Sequence, residues 1–253
     1  IIVNDASTEE SSINNSNLKN IQSIKVINMK ENMGHARCIA TGLKHIFEKE
    51  EFDYVIPMDG DGEDRPEEIK NFIEQIKLNP HKSVVGERIK RSEGLFFKIC
   101  YNSHKILTFT FTGQNIKFGN YTCLSKATVE KMINDKSSWS SFSGALAKLE
   151  KDRSSTPSIR GERYFGPSKM SFKNLILHSL SIISVFKMSV LIRSIFFLFI
   201  YLILIYQNIS FIMLLPIILV FLLILSVFRI SKNENLSELN NSFSKILKID
   251  IVK

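Results

Sequence analysis

The stretch "YVIPMDGDGEDRPEE", residues 54–68, runs from an apolar segment into six carboxylates, in a chain of 253 residues with a formal net charge of +8. "YVIPM" reads as a short buried strand, and "RPEEIKNFIEQIKL" as an amphipathic helix with Pro66 in its first turn. A strand that turns through acids into a helix is a unit of a parallel or mixed α/β sheet. Such sheets bind ligands at the carboxyl ends of their strands. The acidic turn lies at that kind of position.

Working outward, "IIVND", "SIKVINM" and "SVVG" read as further strands. Residues 34–49 read as a helix with Ala36, Ile39, Ala40, Leu43 and Phe47 on one face. Three strand ends then carry charge. Asp5 follows "IIVN", where an N-cap is its ordinary role. After "YVIPM", Asp59 and Asp61 flank Gly60, and alternate residues of an extended segment share a face. Two carboxylates so close repel unless a cation lies between them, which suits Mg²⁺ or Mn²⁺. Asp64, Glu67 and Glu68 flank Pro66 and read as helix-starting acids. After "SVVG" the sign reverses with Arg88, Lys90 and Arg91, a cluster suited to phosphate.

The second half is more apolar. Residues 95–113 read as a strongly apolar helix and "FGNYTCLSK" as a strand and turn. Arg160, Arg163, Ser168 and Lys169 precede an amphipathic helix within residues 166–187, with Phe172, Ile176, Leu180 and Ile183 at helical spacing. "SVLIRSIFFLFIYLILIY" (residues 189–206) and "ISFIMLLPIILVFLLILSVF" (residues 209–228) each approach the roughly 20 residues of a membrane-spanning helix. Arg193, Arg229 and Lys232 lie on the outer flanks and no Lys or Arg lies in the connection. That pattern places both ends on the cytoplasmic side of an inner membrane. The organisation expected is a head over residues 1–165, an interface helix over 166–187, a membrane hairpin over 188–229 and a polar tail over 230–253. "FSKILKIDIV" in that tail is weakly amphipathic and receives no function.

Cys38, Cys100 and Cys123 are scattered and fit a reducing compartment better than a disulfide framework. His35 and His45 share a helix ten positions apart and read as solvated or capping groups. The surplus of positive charge carries no aromatic-basic module, so it reads as membrane-facing and nucleic acid is excluded.

Taken in order, "IIVNDAST", "MDGDGEDRPEE", "VVGERIKR", "GNYTCLSK" and "RYFGPSKM", followed by two spans, resemble the inverting glycosyltransferase family 2. The closest likeness is to polyprenyl-phosphate glycosyltransferases of the dolichol-phosphate mannose synthase type. The resemblance implies a GT-A fold, Rossmann-like with a mixed, mostly parallel sheet, a UDP- or GDP-sugar donor and a divalent metal. By position it gives Asp5 a contact with the nucleotide base, and Asp59 and Asp61 the donor diphosphate and metal. Glu63 stands where a metal-assisting Gln is common. Arg88 and Arg91 engage phosphates, and Ser168 and Lys169 match a Ser-Lys ahead of the interface helices. Asp61, Arg88 and Arg91 are the expected catalytic residues, and Arg88, Arg91, Ser168 and Lys169 the expected acceptor-phosphate set.

The family ordinarily begins with an earlier strand, so the chain is expected to be a fragment lacking roughly thirty residues, about one strand-helix unit. It also departs from processive polysaccharide synthases in having no Glu-Asp base motif and no Gln-x-x-Arg-Trp. A sugar hydroxyl needs a base, whereas a lipid phosphate is already anionic. The expected reaction is therefore sugar transfer from a nucleotide sugar to membrane polyprenyl phosphate for cell-envelope glycan assembly. Transfer to a saccharide hydroxyl of lipopolysaccharide or capsule, and a catalytically silent membrane-anchored partner, are the alternatives. A homo-oligomer is left open.

Overall fold

The computed structural model describes residues 1–8, 20–90, 95–164, 166, 171–207 and 209–253. In chain order its strands are β1 (Ile2–Asn4), β2 (Lys25–Met29), β3 (Tyr54–Val55), β4 (Val84–Lys90), β5 (Phe118–Ser125), β6 (Ser154–Ile159) and β7 (Ile246–Ile251). The helices are α1 (His35–Lys49), α2 (Ile69–Leu78), α3 (Leu95–Thr112), α4 (Lys126–Ile133), α5 (Phe142–Leu149), α6 (Phe172–Ser184), α7 (Lys187–Ile205), α8 (Phe211–Ile230) and α9 (Leu236–Asn240). Short 3-10 turns, among them Pro66–Glu68 and Lys136–Trp139, complete the order.

The strands fall into two sheets, ordered β1-β2-β7 and β3-β5-β4-β6. Both are mixed. β1–β2 and β4–β6 pair in parallel, and β2–β7, β3–β5 and β4–β5 antiparallel, because β5 and β7 run against their neighbours. β3 is shorter than the run "YVIPM" suggests. Pro57 has no amide to give a ladder, so pairing stops before it.

Helices cover both faces of the larger sheet. On one, Phe72 of α2 is fully buried against Val84, Tyr121 and Cys123, its ring edge-on to Tyr121 at 4.9 Å. Burying such a side chain contributes about 2 kcal/mol. On the other, Leu43 of α1, Val129 and Met132 of α4, Leu146 of α5 and Ile182 of α6 close over Val85, Phe118 and Leu124. The face expected for α1 is the one used, with Ala40 and Leu43 buried and Ile39 and Phe47 partly so.

α7 and α8 are long and apolar enough to cross a membrane, and large side chains such as Phe199, Leu204, Phe211 and Phe221 remain uncovered. A hairpin buried in a soluble core would cover them. The Tyr201 hydroxyl donates to the Met213 carbonyl (3.0 Å), tying the two helices together one turn before Pro216. Ile183, Val190 and Val227 form the cluster where α6, α7 and α8 meet, with Phe111 of α3 against it. Arg193 does more than snorkel: its Nη1 donates to the Thr110 carbonyl (3.3 Å) in the last turn of α3.

Residues 230–253, read as a polar tail, fold back onto the head. Their α9 packs on the head, and β7 adds an antiparallel third strand beside β2, with Lys25 opposite Ile251. Cross-strand hydrogen bonds fix this register. Asn4 Nδ2 donates to Asn28 Oδ1 and Asn28 Nδ2 to Asp250 Oδ2, both at 2.9 Å. The alternation in "KILKIDIV" is thus a strand pattern, legible only once β2 is known to lack an outer neighbour.

Candidate active site

The acidic turn is held by its own side chains. The Asp59 amide donates to Asp64 Oδ2 (2.9 Å) and the Glu63 amide to Asp61 Oδ1 (3.0 Å). Asp64 is buried, which pushes its carboxyl up from 3.8 to about 6, against the Asp59 amide that favours its charge. It was expected to start a helix and instead closes the turn, because the chain reverses there and the Asp59 amide needs an acceptor. Glu68 stands at the start of α2 as expected and does more. It is buried, and accepts from the Ser158 hydroxyl (2.7 Å) and the Ile159 amide (2.9 Å), fastening the turn before α2 to the end of β6.

Facing Asp61 and Glu63 is the segment that follows β6. Gly161 donates its amide to the Glu63 carbonyl (2.8 Å) and Tyr164 its amide to the Asp61 carbonyl (2.9 Å). This docking delivers two arginines. Arg163 Nη2 lies 2.9 Å from Asp61 Oδ2 and its Nη1 3.7 Å from Glu63 Oε1, while Arg160 pairs with Glu63 Oε2. Burial lowers the Arg160 pKa from its usual value, and the charges of Asp59 and Asp61 oppose that. Arg163 Nε is buried with no hydrogen-bond partner among the described residues, a donor that costs free energy until an acceptor reaches it.

A third wall comes from α1, β4, β5 and α6. His35, the first residue of α1, places Nε2 3.7 Å from Asp59 Oδ1 and contacts the Asn120 side chain. Arg88 of β4 lies against Gly119, where a Cβ would fall 2.6 Å from its Nη2, so a side chain at Gly119 would push the guanidinium aside. His178 of α6 is within electrostatic reach of His35, Arg88 and Asp59. Its side chain is exposed at the rim of the site, where the charges of His35 and Arg88 work against its protonation and that of Asp59 favours it. Asp5 completes the rim without being free: its oxygens accept from the Met33 (2.6 Å) and Gly34 (2.9 Å) amides at the start of α1. It ties the end of β1 to the two residues ahead of α1, whose N-cap position, Gly34, carries no side-chain cap.

The structure brings Asp59, Asp61, Glu63 and Arg88 into one region and sets Arg160, Arg163, His35 and His178 beside them. Arg91, Ser168 and Lys169 lie outside the described residues. His35 was read as a solvated or capping group, and its side chain is half exposed. The signal for its place in the site was its position at the helix start that follows β2, at the same carboxyl end as the acids. Nothing in the spacing of "FKNLILHSLSII" singled out His178.

Asp59, Asp61 and Glu63, the residues expected to hold a divalent ion, are met by other side chains in this structure. Among the described residues no group of three or more His, Cys, Asp or Glu side chains could hold a metal ion. Glu63 meets two arginines, and Asp61 is engaged by Arg163 and by the Glu63 amide. In this structure guanidinium groups supply counter-charge to Asp61 and Glu63.

The α/β head thus sets an acid-rich strand end against two arginines and is followed by two helices long and apolar enough to cross a membrane. The family model described as "Glycosyl transferase family 2" matches residues 1–131, more than half of the chain, and the chain belongs to that family. Among curated proteins it is 30% identical over 159 residues to an undecaprenyl-phosphate 4-deoxy-4-formamido-L-arabinose transferase of Erwinia tasmaniensis, covering 60% of this chain and 46% of that protein. The transferase of the same name from Klebsiella pneumoniae is 30% identical over 154 residues, covering 58% and 44%. The chain thus spans about half the length of the curated relatives it matches.

Proposed function

We propose that this chain transfers a sugar from a nucleoside-diphosphate sugar to a membrane polyprenyl phosphate, with inversion at the anomeric carbon. The observation that carries this reading is the placement of Arg163. It grips Asp61 at the strand end, keeps a buried Nε donor in reserve, and belongs to the segment leading directly into α6 and the apolar helices. One residue thereby links the donor acids to the membrane side of the head. The relatives named for transfer to undecaprenyl phosphate support the same acceptor class.

In this mechanism the nucleotide lies over the Asp5 rim and its diphosphate turns toward Arg88 and His35. An oxygen of the acceptor phosphate attacks the anomeric carbon as the bond from that carbon to the diphosphate oxygen breaks on the opposite face. No proton has to be removed from the nucleophile, because the phosphate is already anionic at neutral pH. Arg163 and Arg88 offset the negative charge of the acceptor and of the departing nucleoside diphosphate. Asp59 and Asp61 orient these cations. α7 and α8 span the membrane with the head on its cytoplasmic side, and α6 lies in the interface. Arg229 and Lys232 follow the second span on that side.

The test is transfer of labelled sugar from a panel of UDP- and GDP-sugars to undecaprenyl phosphate by the chain in nanodiscs. A labelled lipid product is expected, and it should be lost with Asp61→Ala. Transfer from no donor, or full transfer by Asp61→Ala, overturns the proposal.

A further inference from the structure

The returning tail meets the head and the membrane hairpin at one carboxylate. Glu234, beyond α8, has a side chain only 4% exposed, with Oε2 3.6 Å from Lys187 Nζ and 3.8 Å from Lys136 Nζ. Lys187 is the first residue of α7 and Lys136 belongs to the 3-10 turn of the head before α5. Glu234 Oε1 is buried with no hydrogen-bond partner among the described residues, so the acid is kept from water by its two lysines and their surroundings. Lys187 Nζ also reaches Ser231 Oγ (3.4 Å).

From this joint the chain continues along α1. Trp139, 1% exposed, donates its indole N–H to Glu238 Oε2 (2.7 Å) and packs with Ala40 of α1 and Leu239 of α9, with Arg37 of α1 over its ring. Lys44 of α1 donates to the Asn240 carbonyl (2.6 Å), and β7 then closes on β2. α1 is therefore held along its flank by the tail, while its first residue, His35, meets Asp59 in the site.

We propose that Glu234 is a positioning residue: by joining the start of α7, the head and the tail, it sets the pose of α1 and the site above the bilayer, where the lipid acceptor must enter. A buried carboxylate between two cations suits this task, because removing it leaves charges that the fold has already taken from water. The donor arrives from solution and binds wholly within the head, whose height above the bilayer, rather than its internal geometry, Glu234 sets. The inference rests on the lipid-acceptor reading for its kinetic consequence and on geometry alone for its structural one.

The full chain in nanodiscs separates the two. Glu234→Gln is expected to raise the KM for undecaprenyl phosphate about tenfold while the donor KM changes by less than about twofold, and Glu234→Asp to recover part of the loss. Hydrogen exchange of the β7 amides should accelerate in Glu234→Gln with β4 and β5 unchanged. Exchange at wild-type rates throughout β7, or a rise in donor and acceptor KM by equal factors, overturns the proposal. If the wild-type chain transfers no sugar to the lipid, the reaction reading fails and the exchange measurement alone decides the fate of the joint.

Discussion

The ring of Tyr164 lies flat over Gly62: a Cβ at Gly62 would fall 2.8 Å from three of its carbons. Gly62 also holds φ at 90°, a left-handed conformation that side chains resist. The pair seats the arginine segment on the acidic turn. Gly62→Ala is expected to displace Tyr164 and Arg163 together and to lower kcat/KM at least about tenfold, through strain of about 1–2 kcal/mol and the lost contact. Steady-state kinetics beside an unchanged far-UV circular dichroism spectrum checks this, and wild-type kinetics would refute it.

Arg163→Lys preserves charge and removes the planar fork that meets both Asp61 and Glu63. Because lysine offers a point charge in place of paired donors, kcat/KM for the acceptor is expected to fall about 10–100-fold. Donor binding by calorimetry should change little. An equal loss of donor affinity would place Arg163 on the donor instead.

Asp64 carries a pH signature. Its carboxyl is raised in the fold, from 3.8 to about 6, so over that interval the folded protein keeps a proton that the unfolded chain has released. Stability from this group is full below about pH 4, declines as pH rises to about 6 and is flat above. Asp64→Asn keeps an acceptor for the Asp59 amide and never ionises. Its melting temperature relative to wild type should therefore climb between pH 4 and 6, by an amount equivalent to no more than about 3 kcal/mol at about 1.4 kcal/mol per pH unit. A pH-independent difference between the two proteins would contradict the assignment.

Glu68→Gln tests the fastening of β6. The amide can still accept one of the two bonds from Ser158 and the Ile159 amide, and its NH₂ faces the other donor. A loss of about 1–3 kcal/mol in urea unfolding is expected, the cost of leaving a buried donor unmet. Midpoints within error of wild type would show that Ser158 and Ile159 find other partners.

Much of the architecture was readable in advance because it depends on local patterns. α1 follows from the spacing of Ile39, Ala40, Leu43 and Phe47, and α7 and α8 from uninterrupted apolar runs. The acidic turn declared itself through charge density beside a buried strand. What escaped were relations between distant segments: Arg160 with Glu63, Glu68 with Ser158, Asp5 with the start of α1, and β7 with β2. Each joins residues whose own neighbourhoods look unremarkable, and none has a local period. The arginines that meet the acids were missed for the same reason, since they arrive from beyond β6.

The pairing of Lys25 with Ile251 has a kinetic consequence. Most of the chain, including both apolar helices, lies between β2 and the strand that completes its sheet. Contacts of such separation form late, after the loop-closure entropy of everything between them has been met. During synthesis the small sheet must wait, one edge of β2 uncovered, until the hairpin has been made and delivered to the bilayer. Insertion and completion of the head are in this way successive stages of a single maturation step, and an interrupted insertion would leave an exposed strand edge as its mark.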